Sequence, residues 1–134
     1  MTCAMTLNAT IPPKGTVRDW LDHRVAQGGV AMVFPDTGEA LDWTELQHEA
    51  KVFARLLTAR GGQKADSIAI VSPNSRAGVV ALYGALIGGF RATMINLAAG
   101  RDAIAYALEH SEAKLAYVHD TCRPLFDTAN DSGV

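Results

Sequence analysis

Four histidines, two cysteines, a small group of carboxylates and a glycine-rich stretch are the residues of this chain that could do chemistry. A zinc site on a helix places two histidines four residues apart. His23, His48, His110 and His119 contain no such pair. His23 and His48 fall on the polar sides of amphipathic segments, where solvated side chains are the rule. His119 differs, because it follows an apolar strand-like run at the end where α/β sheets take their ligands. It is the histidine to test.

Cys3 and Cys122 lie near opposite ends of the chain and share no CxxC spacing. They imply no disulfide framework, and a reducing compartment suits them. No base is paired with Cys122 in the sequence, so it reads as a spectator thiol. Asp36, Glu39 and Asp42 lack the spacing of a calcium loop and read as solvated carboxylates. A dinucleotide loop must occupy a strand-to-helix turn. Gly84, Gly88 and Gly89 instead fall late in a helix. Their reading is close packing of that helix on the sheet, with Gly88-Gly89 as its stop. Trp20, Trp43 and Phe53 could stack a flat ligand, but Trp20 and Phe53 lie on apolar helical stripes and read as core. No catalytic residue and no metal ligand is assigned.

The elements that would position these residues can be read from the patterning. The 134 residues suit one domain, 49% of them are hydrophobic, and the formal charge is −2. Charges of both signs alternate without a block, which argues against nucleic acid or an anionic membrane as the main partner. Residues 1–15, with Ile11-Pro12-Pro13, read as a flexible arm. No basic segment followed by an apolar core precedes Lys14, so no secretory leader is expected. The longest apolar run, Gly78 to Phe90, is too short to span a bilayer. A cytoplasmic protein is expected.

Thr16 caps a helix from Val17, with Val17, Trp20, Leu21 and Val25 on one face. Val30 to Phe34 and Glu39 to Trp43 make a β-hairpin around Pro35-Asp36-Thr37-Gly38. Thr44 and Gln47 form a capping box for a helix whose stripe is Leu46, Ala50, Phe53 and Leu57. Residues 67–72 are a strand buried on both faces. Helix 76–89, strand 91–95, loop 96–100, helix 101–111 and strand 114–118 follow. The residues from Asp120 onward read as a polar, frayed tail. The order is helix, hairpin, helix, then β-α-β-α-β, which predicts an α/β fold with a mostly parallel sheet flanked by helices.

Four segments in order resemble the adenylate-forming (AMP-binding) superfamily, which includes acyl-CoA synthetases, luciferases and peptide-synthetase adenylation domains. LDWTEL, Leu41 to Leu46, is similar to the family's L-(S/T)-Y-x-E-L, with Trp43 for the usual Tyr. IAIVSPNS, Ile68 to Ser75, is similar to V-A-(I/L)-x-x-P-N-S. ALYGALIGGFRATMIN, Ala81 to Asn96, resembles A-x-x-G-x-x-x-A-G-A-x-x-x-P-x-N, with Met94 for the usual Pro. IAYALEHSEA, Ile104 to Ala113, followed by Lys114, is similar to L-x-x-I-L-x-D-S-x-A-K. The match runs over residues 16–120, leaving the arm 1–15 and the tail 121–134 outside it.

The resemblance implies the N-terminal subdomain of an acid–CoA ligase of the acyl-CoA synthetase kind. Such an enzyme makes an acyl-adenylate from ATP and a carboxylic acid, with Mg, and then passes the acyl group to CoA. The wording leans toward fatty-acyl ligases. The family's Ser/Thr/Gly-rich phosphate loop, adenine-binding segment, acidic ribose-binding residue, hinge and late lysine have no counterpart here. The resemblance therefore implies that the chain binds no ATP, Mg or CoA by itself and catalyses nothing alone. It also implies that loop Asn96 to Gly100 borders the CoA channel and that Arg123 lies near a basic residue that meets the CoA nucleotide. The chain would be a truncated product, an expressed domain or one half of a split enzyme. The alternative is a free-standing interaction or dimerisation module with the same fold and no catalysis. A small α/β nucleotide-binding protein is disfavoured by the lack of a phosphate loop.

Overall fold

A computed structural model describes residues 14–134; Cys3 and most of the expected arm lie outside the described residues. Helix α1 spans Val17–Gln27 and opens on a reciprocal capping box between Thr16 and Asp19. It turns only part of its expected stripe inward. Leu21 is buried, but Trp20 keeps 40% of its surface. The core reading of Trp20 is thus corrected. His23 also departs from expectation. Its ring is half-buried, and Nε2 has no hydrogen-bond partner among the described residues.

Strands β1, Val30–Phe34, and β2, Glu39–Asp42, form the expected antiparallel hairpin. Gly38, at φ 73°, closes its turn by donating to the Phe34 carbonyl at 2.8 Å. Helix α2, Trp43–Ala59, follows directly. Its cap is Asp42, two residues before the expected Thr44. The Asp42 carboxylate accepts from the Glu45 N–H at 2.7 Å, and Glu45 returns a bond to the Asp42 N–H at 3.1 Å. Asp42 and Glu39 are consequently not idle solvated acids. Glu39 faces Arg76 at 4.0 Å, and Arg76 also pairs with Glu49 on α2. Replacing Asp42 with Ala is expected to lower stability by about 1 kcal/mol, while Thr44→Ala stays within about 0.5 kcal/mol of the parent. Urea unfolding of both variants checks this.

The second half is the expected β-α-β-α-β. Strand β3 is Ser67–Val71, helix α3 is Arg76–Ile87, strand β4 is Arg91–Met94, helix α4 is Arg101–His110, and strand β5 is Ala113–Val118. The three strands are parallel in the order β4-β3-β5. β3 is buried along its whole length because both its faces are covered. On one face Ile68 packs with Leu57 of α2 and Ala85 of α3. On the other, Ala69 and Val71 pack with Ile104 and Leu108 of α4.

Two further expectations change. Gly84 of α3 permits close approach to α2 rather than to the sheet, while Gly78 of the same helix lies against Ser72 and Pro73 at the end of β3. A Cβ at Gly84 would lie 2.7 Å from Phe53 Cδ1 and 2.9 Å from the Ala50 carbonyl oxygen. The frayed tail is ordered. After a short 3₁₀ turn at Asp120–Cys122, helix α5 runs Arg123–Ala129 and buries Phe126 and Ala129, beside buried Cys122, in the α4 core. No helix among the described residues is long and apolar enough to cross a membrane.

Candidate functional site

The strand order creates the site. From β3 the chain leaves into α3 on one face of the sheet, and from the adjacent β4 it leaves into α4 on the other. The carboxyl ends of β3 and β4 therefore diverge, and open α/β sheets bind ligands in the crevice at such a switch point. A groove of about 420 Å³ lies there, with Ser72, Pro73 and Asn74 on one wall and Met94 to Ala98 on the other.

The first wall is held by hydroxyls. Ser72 Oγ donates to the Pro73 carbonyl at 2.9 Å and lies 3.1 Å from Ser75 Oγ. Ser75 caps α3 by accepting from the Gly78 N–H at 3.1 Å. On the second wall, Asn96 Oδ1 accepts from the Ala98 N–H at 3.0 Å and sets a short 3₁₀ turn, Leu97–Ala99. Gly100, at φ 86°, then turns the chain into α4. Arg101, the next residue, anchors this loop. It donates to the Thr128 carbonyl at 3.0 Å and to both Asp131 carboxylate oxygens at 2.7 and 2.9 Å. Its guanidinium is held above its ordinary pKa, first by the hydrogen bond to Asp102 and then by the charge of Asp131. The loop is thereby tied to the end of α5.

Of the residues singled out from sequence, Asn96 lines the groove and Gly100 ends the same loop. Arg123 is not brought to them. It opens α5 beyond β5, on the other side of β3, exposed and paired with Asp127 at 3.0 Å. His119 also lies past β5. Its backbone N–H bonds the Val71 carbonyl at 2.9 Å, and its ring Nδ1 lies 2.8 Å from Thr121 Oγ1. Cys122 is a free, buried thiol with Thr121 Oγ1 at 3.8 Å. Sequence reasoning did not single out Ser72 as part of a wall or Ser75 as its support. The signal was the SPNS turn after a buried strand, which names a loop but not what faces it.

Charge decides what the groove can hold. Its lining residues are serine, proline, asparagine and apolar types, with no cation and no carboxylate. A triphosphate and its magnesium ion do not fit such walls. Nor do the described residues gather three or more metal-ligating side chains. A neutral polar group suits them, because Ser and Asn side chains offer both donors and acceptors.

Around the other edge of β3, Tyr117 of β5 meets Phe53 of α2 edge-on, with centroids 5.6 Å apart. Burial holds the Tyr117 phenol above its ordinary pKa, with the charges of Asp120 and Cys122 adding to the effect. A raised folded-state value stabilises the fold below the ordinary phenol pKa, and that contribution is lost as pH rises through the folded value. Tyr117→Phe is expected to flatten the alkaline fall of stability relative to the parent. The check is the urea midpoint followed from neutral to alkaline pH.

Comparison with known proteins agrees with this fold. The family described as AMP-binding enzyme matches residues 21–132. A 2-succinylbenzoate–CoA ligase of Bacillus licheniformis is 30% identical over 97 residues, which is 72% of this chain and 20% of that protein. The acyl-CoA ligase sidI of Aspergillus fumigatus is 32% identical over 87 residues, 65% of this chain and 15% of that protein. This chain thus spans a fifth or less of the length of those relatives. The N-terminal domain of FACL13 from Mycobacterium tuberculosis superposes with a TM-score of 0.78 at 26% identity, covering 84% of this chain and 29% of that one.

Proposed function

We propose that this chain, which belongs to the AMP-binding enzyme family, supplies the N-terminal scaffold of an acid–CoA ligase. In the whole enzyme ATP and a carboxylic acid would give an acyl-adenylate and pyrophosphate, and the acyl group would then pass to the thiol of CoA. The observation that carries this is the family match over nearly the whole described chain, joined to relatives named as CoA ligases. The acid is of the fatty-acyl type on the wording of Met94 to Lys114. The setting is the cytoplasm, in keeping with a free Cys122.

The groove between β3 and β4 is assigned to the neutral part of the thiol cofactor, with Asn96 supplying a polar contact and Gly100 the turn that keeps the loop clear. Arg123 is assigned to the cofactor's phosphates, which requires release of its Asp127 partner. Both assignments are read from the resemblance of the loop and the following strand to family members. ATP and magnesium would be held by parts of the family fold that these 134 residues do not resemble, so these residues are assigned no catalysis by themselves.

A second reading draws on α2, where Val52 and Leu56 are exposed apolar residues on one face. On that reading the chain is an interaction or dimerisation module without catalysis.

Acid-dependent exchange of pyrophosphate into ATP separates the readings. The purified chain is expected to show no exchange, and a polypeptide carrying the remainder of the family fold is expected to restore it. Exchange by the chain alone would overturn the scaffold reading. A stable dimer that no complementing polypeptide activates would favour the module.

A further inference from the structure

Both tryptophans of the chain, Trp20 and Trp43, line a single cleft. It measures about 400 Å³ and lies where α1, the start of α2 and α3 meet, with Gly15, Val17, Leu21, Arg24 and Tyr83 completing its walls. The volume is in the range of small-molecule sites. The cleft is on the α1–α2 side of α3, away from the strand ends that form the groove described above.

Its chemistry is specific. The Arg24 guanidinium lies over the Trp43 ring, 4.8 Å from its centroid. Arg24 donates through Nη1 to Gln27 Oε1 at 3.2 Å and forms no ion pair among the described residues. A guanidinium over an indole keeps its charge, and the N–H groups of Arg24 that Gln27 does not engage remain as donors for a carboxylate. Trp20, which is 40% exposed, and Tyr83 offer further aromatic surface to a flat ring. Among the described residues Arg24 is the one cation of the lining and no acid lines the cleft, while the Asp19 carboxylate beside Gly15 is taken up by the Thr16 N–H, so the walls favour a single negative charge.

We propose that this cleft binds a small aromatic monocarboxylate, its ring against Trp20 and Trp43 and its carboxylate on the Arg24 guanidinium. The site is independent of the groove and of the ligase reading.

Because both indoles lie in the cleft, tryptophan emission of the full chain reports its occupancy. Titration with benzoate is expected to give a saturable change, and benzamide, the neutral isostere, is expected to bind at least about tenfold more weakly. Arg24→Met retains the packed stem and removes the charge. It is expected to weaken benzoate at least about tenfold and to leave benzamide unchanged. Trp20→Ala, at a surface position, is expected to weaken benzoate to a similar extent, and it keeps the test open if Arg24→Met fails to fold. The proposal is overturned by an emission that shows no saturation with benzoate, by equal binding of benzoate and benzamide, or by either variant binding benzoate as the parent does.

Discussion

Phe126→Ala is expected to lower the free energy of unfolding by about 3 to 5 kcal/mol, the range for removing a buried phenylalanine ring. The ring is 5% exposed and packs in the cluster that includes Ile104 and Leu108 of α4 and Val71 of β3. Helix α5 is only seven residues long, too short to persist on helix propensity alone. It holds because Phe126 and Ala129 complete the α4 face of the sheet. Losing the ring leaves a cavity against the central strand, and the Arg101 tie to Asp131 does not offset it, since exposed ion pairs contribute about 1 kcal/mol or less. Urea unfolding gives the number. A change within about 0.5 kcal/mol would mean that α5 is a surface appendage.

Gly84→Val should cost about 3 kcal/mol, with Gly84→Ala falling between the parent and the valine variant. Here two helices touch at backbone distance. An added Cβ meets the Ala50 carbonyl oxygen at 2.9 Å, which cannot rotate away, as well as the Phe53 ring at 2.7 Å. The gain in helix propensity on leaving glycine, about 1 kcal/mol, works in the opposite direction and is smaller than the clash. Coupling supplies a sharper check. Phe53→Leu should recover part of the Gly84→Ala loss, because the two side chains contest the same space. Strictly additive losses would show that α2 and α3 simply move apart.

The fold was readable where one local pattern had one structural meaning. The run Ser67 to Val71 admits only a strand covered on both faces, and the stripe Leu46, Ala50, Leu57 only a helix packed on one side. Reading failed where two signals overlapped or the signal was short. Asp42-x-x-Glu45 and Thr44-x-x-Gln47 are both capping boxes, and the choice between them depends on where β2 stops. Phe126 and Ala129 are an apolar pair in a helix too brief to show a period, so the polar residues around them dominated. Trp20 sits on a helical stripe, yet α1 meets its neighbours chiefly through Leu21, and no periodicity reveals how many partners a face will find.

The groove shows the same boundary. Asn96 was legible as a loop residue, but Ser72 to Asn74 face it only because β4 pairs beside β3 while α4 crosses to the far face. Strand order is a long-range outcome of packing. The hydrophobic pattern of the three strands is compatible with more than one order.

The margins of the sheet carry a practical consequence. Among the described residues β4 and β5 each pair on one side only, so each presents a row of backbone donors and acceptors to solvent. Such margins recruit other strands. Lys114, exposed on β5, and Arg91, exposed at the start of β4, deter a second copy by charge, whereas the other end of β4 carries Met94, which is 54% exposed and uncharged. In concentrated solution the Met94 end of β4 is therefore the most adhesive stretch of the two margins. A lysine placed at Met94 is the change that would keep preparations dispersed.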